Sequence, residues 1–207
     1  MHATTVIFDI GNVLIRWQPE AYFDTVTTVS RRKQMFAAVD LHAMNERVDA
    51  GAPFRQTVYD TAAAHPEFDG LIRRWHDNWL DIASPVITET LQIAQTLRAR
   101  GAAIAILSNI GQETFDLAAA RNPFLATFDA LFLSGPMAVT KPSSDIYQQV
   151  EDTLNHSPET LFFTDDRVEN IDAADRRGWQ THLFQSPQGL AQALVAHGLL
   201  TLAEASL

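Results

Sequence analysis

Four short stretches of the chain hold residues able to act together: Phe8-Asp9-Ile10-Gly11-Asn12, Leu107-Ser108-Asn109, Thr140-Lys141-Pro142 and Thr164-Asp165-Asp166-Arg167. Taken singly, each has an ordinary reading. An aspartate after a strand caps a helix or shapes a turn, Ser-Asn before a helix is an N-cap, and a lone Lys-Pro is a surface loop. Together they offer more. Two carboxylates from different strands, Asp9 and Asp166, repel one another unless a divalent cation sits between them. Magnesium suits such a pair, because it takes oxygen ligands from one or two carboxylates, water and a substrate phosphate. With the charge screened, the Asp9 carboxylate can attack phosphorus, and an aspartyl-phosphate splits one difficult hydrolysis into two easier steps. Lys141 supplies a fixed positive charge to the phosphoryl group. Ser108 and Asn109, with the backbone N–H groups that follow, can hold phosphate oxygens at a helix N-terminus.

These groups converge only if their strands lie side by side. Near-continuous apolar runs predict strands at Thr5–Phe8, Ala103–Leu107, Ala130–Leu133, Leu161–Thr164 and Thr181–Phe184, each read as covered on both faces. Between them the spacing predicts helices over Thr88–Arg100, after Asn109, and over Asp145–Leu154, Ile171–Arg177 and Gly189–His197. Gly101 and Gly178 stand where a helix C-terminus favours a left-handed residue, and Ser143 or Ser144 suits an N-cap. This alternation predicts an α/β fold with a doubly wound parallel sheet, whose ligand site lies beyond the carboxyl ends of the strands. Each chemical stretch above leaves or follows such an end. From Pro19 to Ile82 the pattern is helical without a strand candidate. Tyr22, Phe23, Met35, Phe36, Phe54, Tyr59, Leu71, Trp75 and Trp79 recur at spacings near three and four, as the core of a small inserted bundle. The expected division is a core of residues 1–15 and 84–207, with a helical cap at 16–83 and Ser84-Pro85 closing the insert.

The 207 residues are 46% hydrophobic and 19% charged, enough to bury a core. A net charge of −10 argues against nucleic-acid binding, which needs a basic footprint. Without cysteine, disulfides, thiolate metal sites and thiol nucleophiles are excluded. No apolar run reaches the roughly 18–20 residues of a membrane span. With no basic segment before Val6, a cytoplasmic protein without signal peptide or membrane contact is expected. The seven histidines show no ligand spacing.

The motifs Phe-Asp-Ile-Gly-Asn-Val-Leu (8–14), Leu-Ser-Asn (107–109), Lys-Pro (141–142) and Phe-Phe-Thr-Asp-Asp (162–166) resemble those of the haloacid dehalogenase superfamily, from Thr5 to about Gly178. The Gly-Asn-Val variant of the first motif is similar to the subgroup containing bacterial α-D-glucose 1-phosphate phosphatases. The resemblance implies a Rossmann-like core with a cap, Asp9 as nucleophile, and Ser108 and Lys141 as phosphate ligands. Asp9, Asp166 and the backbone carbonyl of Gly11 would bind magnesium, with Asp165 as an auxiliary or supporting acid. The implied activity is phosphoric monoester hydrolysis of a small phosphorylated metabolite, a sugar phosphate foremost, by a monomer or weak homodimer. In two places the chain departs from the family pattern. Typical phosphatases of the superfamily have a second aspartate, the general acid and base, where this chain has Gly11. Such help is worth about 10²–10⁴-fold, so plain alkyl phosphates should turn over slowly unless another group serves. In Ser134-Gly-Pro-Met-Ala138 an alanine replaces a common glycine, a change expected to be tolerated.

Arg16, Glu46, Arg47 and Asp49 are polar residues that the cap or its hinge could aim at the site, although solvated helix surface is their default reading. Asn12 could polarise its turn, local turn bonding being its default. Two other functions fit parts of the pattern. A metal-independent 2-haloacid dehalogenase also uses an Asp nucleophile and tolerates a non-acidic residue at position 11. Its family resemblance, however, calls for serines where this chain has Asp165 and Asp166, and an acidic pair repels a departing halide. A catalytically inactive binding protein is favoured by Gly11 and disfavoured by retention of Asp9, Lys141 and Asp166 together.

Overall fold

The computed structural model describes residues 5–205. The outermost residues of the expected core, 1–4 and 206–207, lie outside these. The chain opens with β1 (Thr5–Phe8) and a short β2 (Ile15–Trp17). Six helices follow: α1 (Pro19–Val26), α2 (Val29–Ala38), α3 (Leu41–Asp49), α4 (Phe54–Ala64), α5 (Asp69–Asp77) and α6 (Trp79–Ile82). After β3 (Ala83–Val86) come α7 (Thr88–Ala99), β4 (Ala103–Ser108), α8 (Gln112–Arg121), β5 (Ala130–Leu133) and a single turn, α9 (Ser134–Met137). The chain continues through α10 (Ser144–Leu154), β6 (Leu161–Asp165), α11 (Val168–Asp175), β7 (Gln180–Leu183) and α12 (Pro187–Ala196).

The main sheet has the order β5-β4-β1-β6-β7, and every pairing in it is parallel. The chain winds from β1 outward through β4 and β5, then crosses back to β6 and β7. The reversal beside β1 is the switch point at which such sheets bind ligands. Period-two alternation sorts the strand residues onto two apolar layers. Val6, Phe8, Ile104, Ile106 and Phe162 face one layer with α7, α8 and α12 residues such as Leu97, Phe115 and Leu194. Ile7, Ala105, Leu107, Leu161 and Phe163 face the other, with Ile146 and Tyr147 of α10 and Ala174 of α11. Burial on both faces explains why β1, β4 and β6 read as unbroken apolar runs; the edge strands β5 and β7, expected to be covered likewise, are only partly buried, with Leu131 and Leu183 exposed.

The helices of the insert are packed by Phe23, Met35, Phe54 and Trp75, all essentially inaccessible to solvent. Phe36, Tyr59 and Leu71, expected in that core, are partly buried against it. These residues and the first sheet layer form one continuous apolar cluster, so the insert packs onto the core. Gly101 and Gly178 take φ of +83° and +89° at their helix ends, and the Ser143 side chain accepts from Asp145 N–H at the start of α10. Ala138 also sits at a left-handed φ of 54°, where glycine is the cheaper residue.

The insert differs from expectation at its entrance. β2 and β3 form an antiparallel ribbon, Ile15 opposite Val86 and Trp17 opposite Ala83, so the chain enters and leaves the helices through paired strands. The expected boundaries at 15/16 and 83/84 cut through that ribbon. Smaller shifts occur at other elements: α11 begins at Val168, ahead of the expected Ile171, α12 at Pro187, ahead of the expected Gly189, and β7 one residue early at Gln180.

Candidate active site

Register along the sheet sets the site. Phe8 pairs with Ile106 on one side and Thr164 on the other, so the next residue, Asp9, leaves β1 between the ends of β4 and β6. Its N–H donates to the Thr164 carbonyl at 3.0 Å, which fixes the backbone at the point where its carboxyl turns into a cavity. Lys141 reaches the same point from the loop before α10. Its ammonium donates to Asp9 Oδ1 (2.9 Å), Asp165 Oδ2 (2.6 Å) and the Leu107 carbonyl (2.9 Å). An ammonium has three protons, and all three are used. Lys141 is 4% exposed, Asp9 7% and Asp165 not at all, so water contributes little to this cluster.

Asp165 is saturated by protein. Besides Lys141 it accepts from the Arg167 N–H at 2.8 Å and from the Asn170 amide at 3.0 Å on both oxygens. Asp166 has one such partner, the Asn12 amide at 2.9 Å. Asn12, held at a left-handed φ of 54°, also accepts from the Trp17 N–H at 3.0 Å, so it serves its turn and reaches across to β6. The side chain of Asn109 exchanges two hydrogen bonds with the Lys141 backbone, at 2.9 and 2.8 Å. That amide is therefore spent on placing the lysine, and any anion contact at this position falls to the Asn109 N–H. Ser108 is buried at the end of β4 and lines the cavity with Asp9, whose carboxyl it helps to lower. Gly11 lies beside Asp9: a Cβ added to it would stand 3.6 Å from Asp9 Oδ2.

The electrostatics follow from this packing. Burial pushes the Asp9 carboxyl up to about 6, against the pull of Lys141 and with the repulsion of Asp165. Burial works to lower Lys141, but Asp165 and Asp9 more than offset it and hold the ammonium charged. Asp166 is raised by burial, in part compensated by its bond from Asn12. One oxygen from each of Asp9, Asp165 and Asp166 lies within 4.8 Å of the others. Since Asp165 has its lone pairs engaged, Asp9 and Asp166 are the acids with oxygen left to offer a cation, which fits the hard-oxygen preference of magnesium.

Residues 3–178 match the haloacid dehalogenase-like hydrolases. The chain belongs to that family. Solved haloacid dehalogenase-family enzymes share its fold. One from Bacteroides thetaiotaomicron is 18% identical, with a TM-score of 0.69 over 90% of this chain and 95% of that one. The wild-type protein of the same enzyme in complex with magnesium and inorganic phosphate is 19% identical, with a TM-score of 0.65 over 89% and 95%. The L-2-haloacid dehalogenase of Xanthobacter autotrophicus, with chloropropionic acid covalently bound, is 20% identical, with a TM-score of 0.62 over 98% and 86%. At these identities the likeness shows the fold.

In this haloacid dehalogenase-like hydrolase the cavity brings together Asp9, Gly11, Ser108, Asn109, Lys141 and Asp166, while Asp165 stands behind Lys141. The insert contributes as well. Arg16, Glu46 and Asp49 line the same cavity; Arg16 and Glu46 do so as exposed side chains, in keeping with their default reading, Asp49 is half-buried, and Arg47 is exposed and donates to Thr61 Oγ1 at 3.2 Å. Trp17, His42, Asn45 and Trp79 also line it and were not singled out from the sequence for that role. Asn170, one turn beyond the acidic pair, had no assigned task, and its amide orients Asp165. Among the described residues no helix is long and apolar enough to cross a membrane.

Proposed function

We propose that this chain is a magnesium-dependent phosphatase of a small phosphorylated metabolite, a sugar phosphate foremost, acting through an aspartyl-phosphate on Asp9. The observation that carries this reading is the convergence of Asp9 and Asp166, each with unshared oxygen, beside a buried Lys141. A departing halide would meet the Asp166 carboxylate, whereas a cation held between Asp9 and Asp166 would draw a phosphoryl group in. Asp9 and Asp166, with the Gly11 carbonyl, are the residues that would hold magnesium, and the bound ion would polarise the phosphoryl group. Asp165 fixes Lys141, and Lys141 keeps Asp9 ionised and oriented. Ser108 and the N–H groups after it hold the phosphate oxygens. Asp9 then forms a bond to phosphorus as the ester bond breaks, and water attacks the same phosphorus to release phosphate and restore Asp9. The helices of the insert form the cap over this site, and their residues select the alcohol. A second reading, haloacid dehalogenation, draws on the absence of a carboxyl at Gly11.

A panel of sugar phosphates and 2-haloacids, assayed with magnesium and with EDTA, tests the reading. Phosphate release that needs magnesium and vanishes in Asp9→Asn is expected. Halide release that persists in EDTA, without phosphate release, would overturn it.

A further inference from the structure

Two carboxyls in the cavity have no task in the scheme above, the exposed Glu46 and the half-buried Asp49. Asp49 is the last residue of α3, and its place is fixed from the core. Its backbone carbonyl accepts from Ser134 Oγ, which itself accepts from the Ile110 N–H at 2.9 Å. A Cβ on Gly111 would stand 2.7 Å from the Val48 carbonyl oxygen, and one on Gly51 would stand 3.1 Å from the Gly135 carbonyl oxygen. Backbone therefore meets backbone at the end of α3, with no room for adjustment.

The side chain is equally constrained. Asp49 Oδ2 accepts from the Asn45 amide at 2.8 Å, and Asn45 Oδ1 accepts from the Trp75 indole N–H at 3.0 Å, which settles which end of the amide faces the acid. Among the described residues no lysine or arginine pairs with Asp49, and no protein donor reaches its other oxygen. Lys141 donates to both Asp9 and Asp165, and Asp49 has no such partner. Across the cavity Gly11 brings no carboxyl to the side of Asp9 Oδ2.

We propose that Asp49, from the insert, is the catalytic acid and base of this site: it protonates the departing ester oxygen and then takes a proton from the attacking water. The proposal rests on the phosphatase reading. As the Asp9–phosphorus bond forms and the ester bond breaks, the Asp49 proton passes to the leaving oxygen and the alcohol departs. Water then attacks phosphorus, its proton returns to Asp49, the Asp9–phosphorus bond breaks, and inorganic phosphate is released. The local environment prepares the first step. Burial, then the charge of Asp9 and to a lesser degree Glu46, push the Asp49 carboxyl up to about 8 against Asn45 and Lys141, so it holds a proton at neutral pH.

The test compares kcat/KM of the wild type, Asp49→Asn and Asp49→Glu, with magnesium, on monoesters whose leaving groups run from p-nitrophenol to simple alcohols. In Asp49→Asn the loss should grow with leaving-group pKa, from about tenfold on the aryl ester to about 10²–10⁴-fold on alkyl esters, the range of general-acid help. Asp49→Glu should recover part of the alkyl rate. A loss equal across the series, or none, overturns the proposal while leaving the phosphatase reading intact. Wild-type protein that releases no phosphate from any ester overturns both.

Discussion

Lys141→Met removes the ammonium shared by Asp9, Asp165 and the Leu107 carbonyl, with little change of side-chain volume. Asp165 is wholly buried and Asp9 is 7% exposed, so neither carboxylate can recover its hydration. Breaking a buried pair by deleting one partner costs about 3–5 kcal/mol. For a chain of this size each kcal/mol moves the melting temperature by about 2–4 °C, so a fall of roughly 6–20 °C is expected. The cost should also depend on pH. The Asp9 carboxyl is raised from 3.8 to about 6 with Lys141 in place, and higher without the lysine that pulls it down. Between the unfolded and folded values the native state binds more protons than the unfolded chain, so stability falls as pH rises through that window. In the wild type this window closes at about 6. In the variant it extends further, so the deficit should widen above pH 6 by up to about 1.4 kcal/mol for each unit of additional shift. Urea denaturation at pH 5.5 and pH 8, with unchanged m-values, reads the difference. Equal stability at pH 8, or a gap that does not widen from pH 5.5, would show that the lysine does not neutralise these acids.

Asn12→Ala should lose the bonds to Asp166 and from Trp17 and also place alanine at a left-handed φ, lowering stability by about 1–3 kcal/mol in thermal melts. Asn12→Gly relieves the backbone alone, so its melt should recover partly while magnesium affinity, measured by calorimetry, stays reduced. Equal affinity in wild type and Asn12→Gly would remove Asn12 from the orientation of Asp166. Gly111→Ala forces a Cβ to within 2.7 Å of the Val48 carbonyl oxygen. Overpacking of this kind costs about 1–3 kcal/mol, and here it should lift the end of α3, exposing residues 50–53 to limited proteolysis and reducing kcat/KM. Wild-type proteolysis and activity would show that the insert does not need this contact.

The sheet was legible because strands covered on both faces leave unbroken apolar runs, as Val6-Ile7-Phe8 and Leu161-Phe162-Phe163 do. The ribbon of β2 and β3 was not. Ile15-Arg16-Trp17 is too short to show a period, and its strand character comes from pairing with Ala83–Val86 across the whole insert. Within the site, the residues at strand ends could be named, because a parallel sheet gathers them whatever the loops do. Their partners could not. Asn109 has the right chemistry for an anion ligand, and only the return of the loop 32 residues later spends its amide on Lys141. The spacing of Asn45 and Asp49 is that of any polar pair on a helix surface. What turns Asp49 inward is the Ser134 clamp, a contact across 85 residues with no local signature.

A chain with a net charge of −10 repels an anionic substrate, and the site carries the same problem in sharper form. All three protons of Lys141 are engaged, Arg167 pairs with Glu169 at 2.5 Å, and the cavity wall carries Asp9, Glu46, Asp49 and Asp166 against the exposed Arg16. At an effective dielectric constant near 20, a unit charge about 4 Å from another is worth about 4 kcal/mol, close to three powers of ten in affinity. A phosphate dianion facing ionised Asp9 and Asp166 would be strongly disfavoured, and an ionised Asp49 would deepen the repulsion. Two features relieve it: Asp49 keeps its proton at neutral pH, and the proposed magnesium site pairs Asp9 with Asp166. Binding should therefore be ordered, metal before phosphate. Calorimetry should show inorganic phosphate binding in millimolar magnesium and none in EDTA. Equal affinity in both would mean that the cavity's own cations suffice, and that the acidic cluster does not act through a metal.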